Sequence, residues 1–590
     1  MRPIEHLPIK MPWEHDPGPE FFYRNIVHPI IPDMLDLMTV GLTIDQEAVE
    51  ELRVTITDVL SNVDSTLAKN PLILRHQKEV LPRAQQEHAD KATAATRTPE
   101  YYLSEFKPSD MVHRTWVMNT YLKSISRSKD CRDKWPVAGM KKYNIFLSDP
   151  FIKSLVDKST SSQNQHVISG MRALAEYKSE LWNRPREEKA KEPVTLDNFN
   201  PGSNKQMREF FAMLGIEPME YSAKTGEASW DREAVEQVLK TTDDPDLKQC
   251  LVAFVDHSFG GIIRSNFLKA FDTYTIDGKL HGNMRVFGAK TFRPTSNSPN
   301  LLNMPSTKSI YAKPLKRCFR APDGMVVFTA DLSALEDRVI ANLTKDTNKC
   351  NIFLEGLDGH SLNACGYFGP ELVPFLGTNT DNVAYVKKFM ESFDNDHPEI
   401  KKFRQKSKGP TFKLAYGGYP DDHKGGVITQ EIFDRYHNIL YPGITEYREN
   451  YVLPTAREQG YLHLGLGCRL YTDDASKDIR TLHNSTVQFW SILTLIAVNE
   501  LNHRIREEKL SDIIQVTSTI YDSIYTQAIK DADVIKWLND NMIEVLCTKY
   551  LEDETISNEA SGEVGYNWAD LTKVPNGASV DDIKVILRDL

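Results

Sequence analysis

Two aspartates stand where β-rich runs end. Asp331 closes the run Val326 to Asp331 in PDGMVVFTADLSALEDRVIANLT (322–344), which reads as a turn, a short strand and then a helix. Asp522 sits in the turn Tyr521-Asp522-Ser523 between the two β-branched runs of IIQVTSTIYDSIYTQAI (513–529), the pattern of a hairpin. Strand ends hold carboxylates rigidly, and phosphoryl transfer to a hydroxyl nucleophile needs carboxylates that bridge two Mg²⁺ ions about 4 Å apart, one activating the attacking oxygen and one stabilising the leaving pyrophosphate. A third group, Arg404, Lys408, Phe412 and Tyr416 in RQKSKGPTFKLAYGG, recurs at a spacing of four, so two cations and two aromatics share one slowly drifting helical stripe. The stripe suits a nucleoside triphosphate, with cations for the phosphates, aromatic faces for sugar and base, and Gly417-Gly418 where the helix would end beside a template base. Each feature alone has a plainer account. Most of 82 acids are caps or surface carboxylates, and a solvated amphipathic helix carries the same stripe.

Positioning such groups takes more than one ordinary core, and 590 residues suffice for about two to four domains or subdomains. Hydrophobic residues at 40% and charged residues at 26%, without a low-complexity tract, mark a globular chain and exclude a disordered or membrane-embedded one. No apolar run approaches the ~20 residues that span a bilayer, and MRPIEHLPIKMPWEH lacks the apolar centre of a signal peptide, so a cytoplasmic protein with no membrane partner is expected. The formal charge of -11 argues against nucleic acid only superficially, because phosphate binding needs just a local stripe. Nine Lys or Arg stand against four Asp between Tyr121 and Thr160, and KKFRQKSKGPTFK (401–413) holds cations and no acid; solvated faces carry such runs as well. Cys131, Cys250, Cys318, Cys350, Cys365, Cys468 and Cys547 lack CxxC spacing, which excludes a zinc ribbon or disulfide framework and leaves reduced thiols.

The first ~35 residues contain Pro3, Pro8, Pro12, Pro17, Pro19, Pro29 and Pro32 and read as a tail or extended lead-in, since proline withholds a backbone donor and discourages long helices. Helical spacing begins at Leu35, and GLTIDQEAVEELRVTITDVL carries apolar residues three and four apart behind Asp45 as N-cap. Residues 85–195 are polar and mixed in charge, and a boundary or insertion is expected there. Strands followed by helices in unequal blocks, with no internal repeat, favour an α+β fold.

Three segments in this order, DLSALEDR (331–338), RQKSKGPTFKLAYG (404–417) and YDS (521–523), resemble motifs A, B and C of family A DNA polymerases, the bacterial DNA polymerase I type. TFRPTSNSPNLLNMP (291–305) resembles the segment before motif A, DGHSLNA (358–364) the start of the fingers, and EQGYLHLGLGCRLY (458–471) the return to the palm, followed by Arg480, Asn484 and Gln488 at the family's spacing of four. GLTIDQEAVEEL and NKQMREFFAMLGIEP (204–218) resemble thumb elements, so the likeness covers most of residues 40–570.

The resemblance implies a right-hand polymerase fold with palm, fingers and thumb. Its divisions would be a proline-rich lead-in at 1–38, a helical thumb at 39–285 with a polar insertion or tip near 85–195, a first palm part with motif A at 286–345, fingers with motif B at 346–460, and a second palm part with motif C and a C-terminal tail at 461–590. The implied activity is DNA-dependent DNA synthesis in the 5′–3′ direction with two Mg²⁺ ions, which Mn²⁺ can replace, and the implied partners are primer-template DNA and dNTPs. Asp331, Asp522 and the Leu332 carbonyl would bind metal. Lys408 would join the two aspartates in catalysis as general acid to pyrophosphate. Glu336 would be a steric gate that crowds the sugar 2′ position, so that a ribonucleotide clashes or strands a buried carboxylate. His360, Arg404 and Lys408 would hold the triphosphate, Phe412 would pack on the deoxyribose and Tyr416 near the templating position. Arg293, Asn300, Arg480, Asn484, Gln488 and Tyr521 would contact DNA, reading minor-groove acceptors common to every Watson–Crick pair.

The chain departs from the family in three ways. Motif C there reads His-Asp-Glu, so Tyr521-Asp522-Ser523 loses an acid beside the metals, and a catalytically weakened primer-template binding protein is the alternative reading. A single-subunit RNA polymerase is a further alternative, disfavoured by Glu336 and Phe412. Leu302 replaces a polar residue that often contacts DNA. Larger relatives also carry a 3′–5′ exonuclease domain before the thumb, where this chain has about 40 residues. The expectation is therefore a compact phage-encoded enzyme in a host cytoplasm, with proofreading left to a separate exonuclease among other replisome proteins. Trp13, Phe21, Phe22 and Tyr23 would either dock that partner or pack on the palm.

Overall fold

The computed structural model describes residues 3–79, 199–218, 220–221, 227–305, 311–415, 419–420 and 428–590. The cations from Lys123 to Lys158 and the insertion expected near 85–195 lie outside the described residues. The chain divides into two compact units, Met1–Asn62 with Val255–Leu590, and Val63–Phe254. Within the second, helices Asn204–Met213 and Arg232–Thr241 begin at Ser203 and Asp231, whose side chains accept from the N–H groups of Gln206 and Ala234. Among its described residues aromatic rings stack, Phe211 on Trp230 at 3.7 Å and Phe199 on Phe254 at 5.4 Å.

The larger unit is built on an antiparallel sheet. Its strands in chain order are β1 (Met325–Leu332), the separate hairpin β2 (Tyr461–Gly465) and β3 (Cys468–Tyr471), then β4 (Ile514–Ile520), β5 (Ser523–Ile529), β6 (Ala560–Gly565) and β7 (Leu571–Val574). The five-stranded sheet runs β4-β5-β1-β6-β7, so β1 is central, with Asp331 opposite Ser523 on one side and Ser561 on the other. The period of two sends Val326, Phe328, Ala330 and Leu332 into one hydrophobic core and Val327 into another, so β1 is buried on both faces until it opens at Asp331. The expected strand at Val326 to Asp331 and hairpin at 513–529 are both present, and the mixed architecture is α+β.

The expectation of an extended lead-in needs correction beyond Gly18. Helix α1 (Pro19–Phe22) runs through a π turn (Tyr23–Val27) into α2 (His28–Val40), so helix begins well before Leu35. Pro19 falls in the first turn of this helical run, where the missing N–H would be unpaired anyway, whereas Pro29, just past the π turn, and Pro32 lie within it. Packing outweighs these breakers. Ile26, Ile30, Met34 and Leu37 form a buried face, and the fully buried Asp33 accepts hydrogen bonds from Asn499 (2.7 Å) and Asn502 (3.0 Å) and pairs with Arg506 (2.8 Å). Residues 3–17, apart from a turn at 12–14, lack helix and strap the molecule. Ile9 bridges to Leu551, His463 Nδ1 lies 2.7 Å from the Pro12 carbonyl, and Arg469 donates to Asp16 at 2.7 Å. At Gly467, where φ is +83°, an added Cβ would meet the Gly18 carbonyl at 2.2 Å, so only glycine lets the strap lie against the β2–β3 turn. Trp13 rests edge-on against Tyr447 and Tyr451, and Phe22 packs on Phe287 and Phe489.

Asp45 caps α3 (Gln46–Lys69) as its position suggests, accepting from Ala48 N–H at 3.0 Å. After β1 come α4 (Leu335–Thr344), α5 (Thr347–Leu354), α6 (Gly359–Tyr367), α7 (Pro398–Ala415), α8 (Ala475–Gln488) and α9 (Ile492–Glu507). Among the described residues no helix is long and apolar enough to cross a membrane.

Candidate active site

Strand β1 delivers Asp331 one residue before its end, and the β4–β5 turn delivers Asp522 beside it. Tyr521 adopts φ of 53°, which tightens that turn, and the Leu332 N–H donates to the Asp522 carbonyl at 3.1 Å, tying strand end to turn. Ser523, opposite Asp331, donates its hydroxyl to Asp331 Oδ1 at 2.5 Å. The half-buried Asp522 carboxyl is pushed up to about 6, first by burial and then by the charge of Asp331, with Arg293 pulling the other way. Mutual repulsion of this kind favours a cation between the two acids. The available donors, two carboxylates and the Leu332 carbonyl, are hard oxygens and suit Mg²⁺ or Mn²⁺. Among the described residues no group of three or more His, Cys, Asp or Glu gathers, so the donor set is spare, and a neutral hydroxyl takes the third place.

A cavity of about 480 Å³ opens next to Asp522 and is lined also by Glu336, His360, Asn484 and Gln488. Glu336 lies in the first turn of α4, which the left-handed Ala334 starts directly after the strand, and it forms an ion pair with Arg293. The Arg293 guanidinium also sits 5.8 Å from the centre of the Tyr521 ring, so one cation joins Glu336, the hairpin turn and the field at Asp522. His360, near the start of α6, has its imidazole pulled below the ordinary histidine value, first by burial. Asn484 and Gln488 come from α8 at a spacing of four and face the same space; Arg480, one turn earlier, is exposed and lines a second cavity of about 240 Å³ with Arg448 and Arg457.

The two cations of the stripe on α7, Arg404 and Lys408, do not line the larger cavity, which the helix reaches through other residues, Thr411 and Ala415. Arg404 instead makes a two-pronged pair with Asp358, Nε to Oδ2 at 2.9 Å and a terminal nitrogen to Oδ1 at 3.0 Å, with its guanidinium 4.6 Å from the Phe393 ring centre. Burial alone would raise the Asp358 carboxyl, but Arg404 and the donors of Ser361 outweigh it and hold it down at about 2. Lys408 is half-buried, and its charge is felt at His360. The Phe412 side chain is not described, and Tyr416 lies outside the described residues. Asn300 precedes a short turn at Leu301–Asn303, and Leu302 is buried there; neither lines the cavity.

Sequence reasoning did not single out Asp337, Asp358 or Lys349, although Asp337 adjoins Glu336 and Asp358 begins DGHSLNA. A charged residue flanking a motif was the available signal.

Residues 171–374 match DNA polymerase family A, a stretch that contains Asp331, Glu336 and His360 and ends before Arg404 and Asp522. DNA polymerase I of Chloroflexus aurantiacus is 24% identical over 400 residues, covering 64% of this chain and 38% of that protein. DNA polymerase I of Pseudomonas aeruginosa is 26% identical over 271 residues, covering 45% of this chain and 26% of that protein. This chain thus matches well under half the length of either relative. A solved structure described as the POL domain of Pol1 from M. smegmatis, in complex with DNA primer-template and dNTP, shares the fold with a TM-score of 0.55 and 17% identity, over 93% of this chain and 71% of that one.

Proposed function

We propose that this chain, similar to DNA polymerase family A over residues 171–374, is a DNA-dependent DNA polymerase of that family that extends a primer 5′–3′ along a template with dNTPs. The observation that carries the reading is the meeting of Asp331 and Asp522 at adjacent strand ends, beside a cavity that also holds Glu336, His360, Asn484 and Gln488. The sheet at 286–345 and 461–590 would be the palm, 346–460 the fingers and 39–285 the thumb.

Two Mg²⁺ ions held by Asp331, Asp522 and the Leu332 carbonyl would supply activation of the primer 3′ hydroxyl and charge relief for pyrophosphate. Ser523 orients Asp331 by occupying one lone pair of Oδ1. Glu336 closes the space against a 2′ hydroxyl, and Asn484, Gln488, Arg293, Arg480, Asn300 and Tyr521 face DNA. Arg404 reaches the triphosphate only by exchanging Asp358 for it, which makes the turn of α7 toward the cavity part of substrate selection. Lys408 donates the proton that leaves with pyrophosphate, beside His360. Phe412 and Tyr416 receive the sugar and the templating pair.

The test is extension of a labelled primer by purified protein with Mg²⁺ and dNTPs, beside Asp331→Ala and a ribonucleotide control. Template-dependent extension that the variant loses is expected. Tight primer-template binding with no extension in Mg²⁺ or Mn²⁺ would instead favour a weakened binding protein, the reading that Ser523 in the third acid's place motivates, and efficient ribonucleotide use would favour an RNA polymerase.

A further inference from the structure

One wall of the larger cavity is charged and takes no part in the reaction above. Lys349 on α5 has a side chain only 11% exposed, and its Nζ donates to Asp337 Oδ1 at 2.5 Å. Burial works against its charge, and Asp337 more than restores it. The ammonium also lies 4.8 Å from the centre of the Tyr441 ring, and the Tyr441 hydroxyl donates to Asn363 Oδ1 at 2.5 Å. Asn363 sits one turn beyond His360 on α6. The base of α5 is fixed as well, since its cap Asp346 accepts from Lys349 N–H at 3.0 Å and from Gly443 N–H at 2.8 Å. Asp337, Lys349, Asn363 and Tyr441 line the same cavity as Glu336 and His360.

Two apolar side chains would fill this space at least as favourably, because drying an ammonium generally takes more free energy than its pairing returns. What an ion pair adds is direction. Glu336 needs it, since α4 starts at Ala334 with no side-chain cap. On its far side Arg338 is held by the carbonyls of Ser333 and Ser557 and by Glu559, and on the cavity side Asp337 is held by Lys349.

We infer that Lys349 is a positioning residue for sugar selection: by holding Asp337, and through Tyr441 and Asn363, it fixes the gate Glu336 relative to the helix that bears His360. This rests on the polymerase reading. A gate acts by distance, and displacements of about 1 Å change rates by up to about 100-fold, so loosening the first turn of α4 should blur discrimination before it harms synthesis.

The experiment compares kcat/KM for a dNTP and the matching ribonucleotide in the wild type, Lys349→Met, Asp337→Asn and the double variant Asp337→Leu with Lys349→Leu, with thermal melts of each. Lys349→Met should keep dNTP kcat/KM within about threefold while the preference for dNTP falls about tenfold, and Asp337→Asn should move the same way. The double variant should recover melting temperature without recovering preference. Should Lys349→Met fail to fold, Asp337→Asn carries the test, its side chain being 53% exposed. An unchanged preference in the folded variants, or equal loss for both nucleotides, would reduce Lys349 to a structural role. If the wild type itself extends no primer, the polymerase reading falls and this inference with it; a wild type that synthesises DNA with unaltered variants refutes the inference alone.

Discussion

Replacing Asp522 by Asn should stabilise the metal-free protein while abolishing synthesis. The Asp522 carboxyl is pushed up to about 6 from an ordinary 3.8, by burial and by Asp331. In the unfolded chain it ionises near the ordinary value, so between the two values the folded protein keeps a proton that the unfolded chain has released. Folding therefore loses ground as pH rises through this window and the loss levels off above it. The full gap corresponds to about 3 kcal/mol, and solvent reaching a half-buried group reduces that to about 2 kcal/mol. Asn cannot ionise and escapes the penalty. Melts of both proteins in chelator and low salt should coincide near pH 4, separate through pH 6, and differ by a few degrees from about pH 7 upward. Mg²⁺ at pH 8 should narrow the difference by binding the charged wild type. A melting difference that is the same at pH 4 and pH 8, or a less stable variant at pH 8, would refute the repulsion argument.

Ser523→Ala frees Asp331 Oδ1 and should lower turnover about tenfold with little change in KM for dNTP; single-turnover kinetics that match the wild type would make the hydroxyl a bystander. Asp358→Asn keeps the cap of α6, since Asn caps as well as Asp, but releases Arg404, so KM for dNTP should fall severalfold. A KM that holds or rises would mean Arg404 does not leave Asp358 for substrate. Asn342 is fully buried, donates to the Tyr550 hydroxyl (2.9 Å) and the Ile556 carbonyl (2.7 Å), and accepts from the N–H groups of Thr555 and Ile556. Asn342→Leu orphans these groups and should destabilise by about 3 kcal/mol in denaturant titration; a loss below about 1 kcal/mol would contradict that.

Local pattern made much of this molecule legible. The β-branched run before Asp331, the paired runs around Tyr521-Asp522-Ser523 and the Asp45 cap all rest on periodicity or on contacts within a few residues, and each is where the sequence suggests. The helix from Pro19 was hidden because proline's local penalty is visible in sequence, while the buried face from Ile26 to Leu37 gains its stability from residues more than 450 positions away, such as Asn499. The spacing of Arg404 and Lys408 identifies a shared helical stripe and leaves the partner open. Arg404 answers to Asp358, 46 positions earlier, and Lys349 to Asp337 through a helix–helix contact that no period encodes. Charge pairs of this kind become readable only once the backbone has brought their helices together.

The central place of β1 shapes how the chain can be made. Its neighbours β5 and β6 both come from the last part of the sequence, and Ser523 follows Asp331 by 192 positions. On a ribosome adding about 5–20 residues each second, the strand bearing Asp331 spends about 10–40 seconds with both hydrogen-bonding edges bare. Val326, Val327 and Phe328 are then an apolar ribbon open to any passing strand. Birth of the sheet is thus a closing step rather than an early one, and holding chaperones or fast late codons should raise the yield of native protein far more than they alter its final stability.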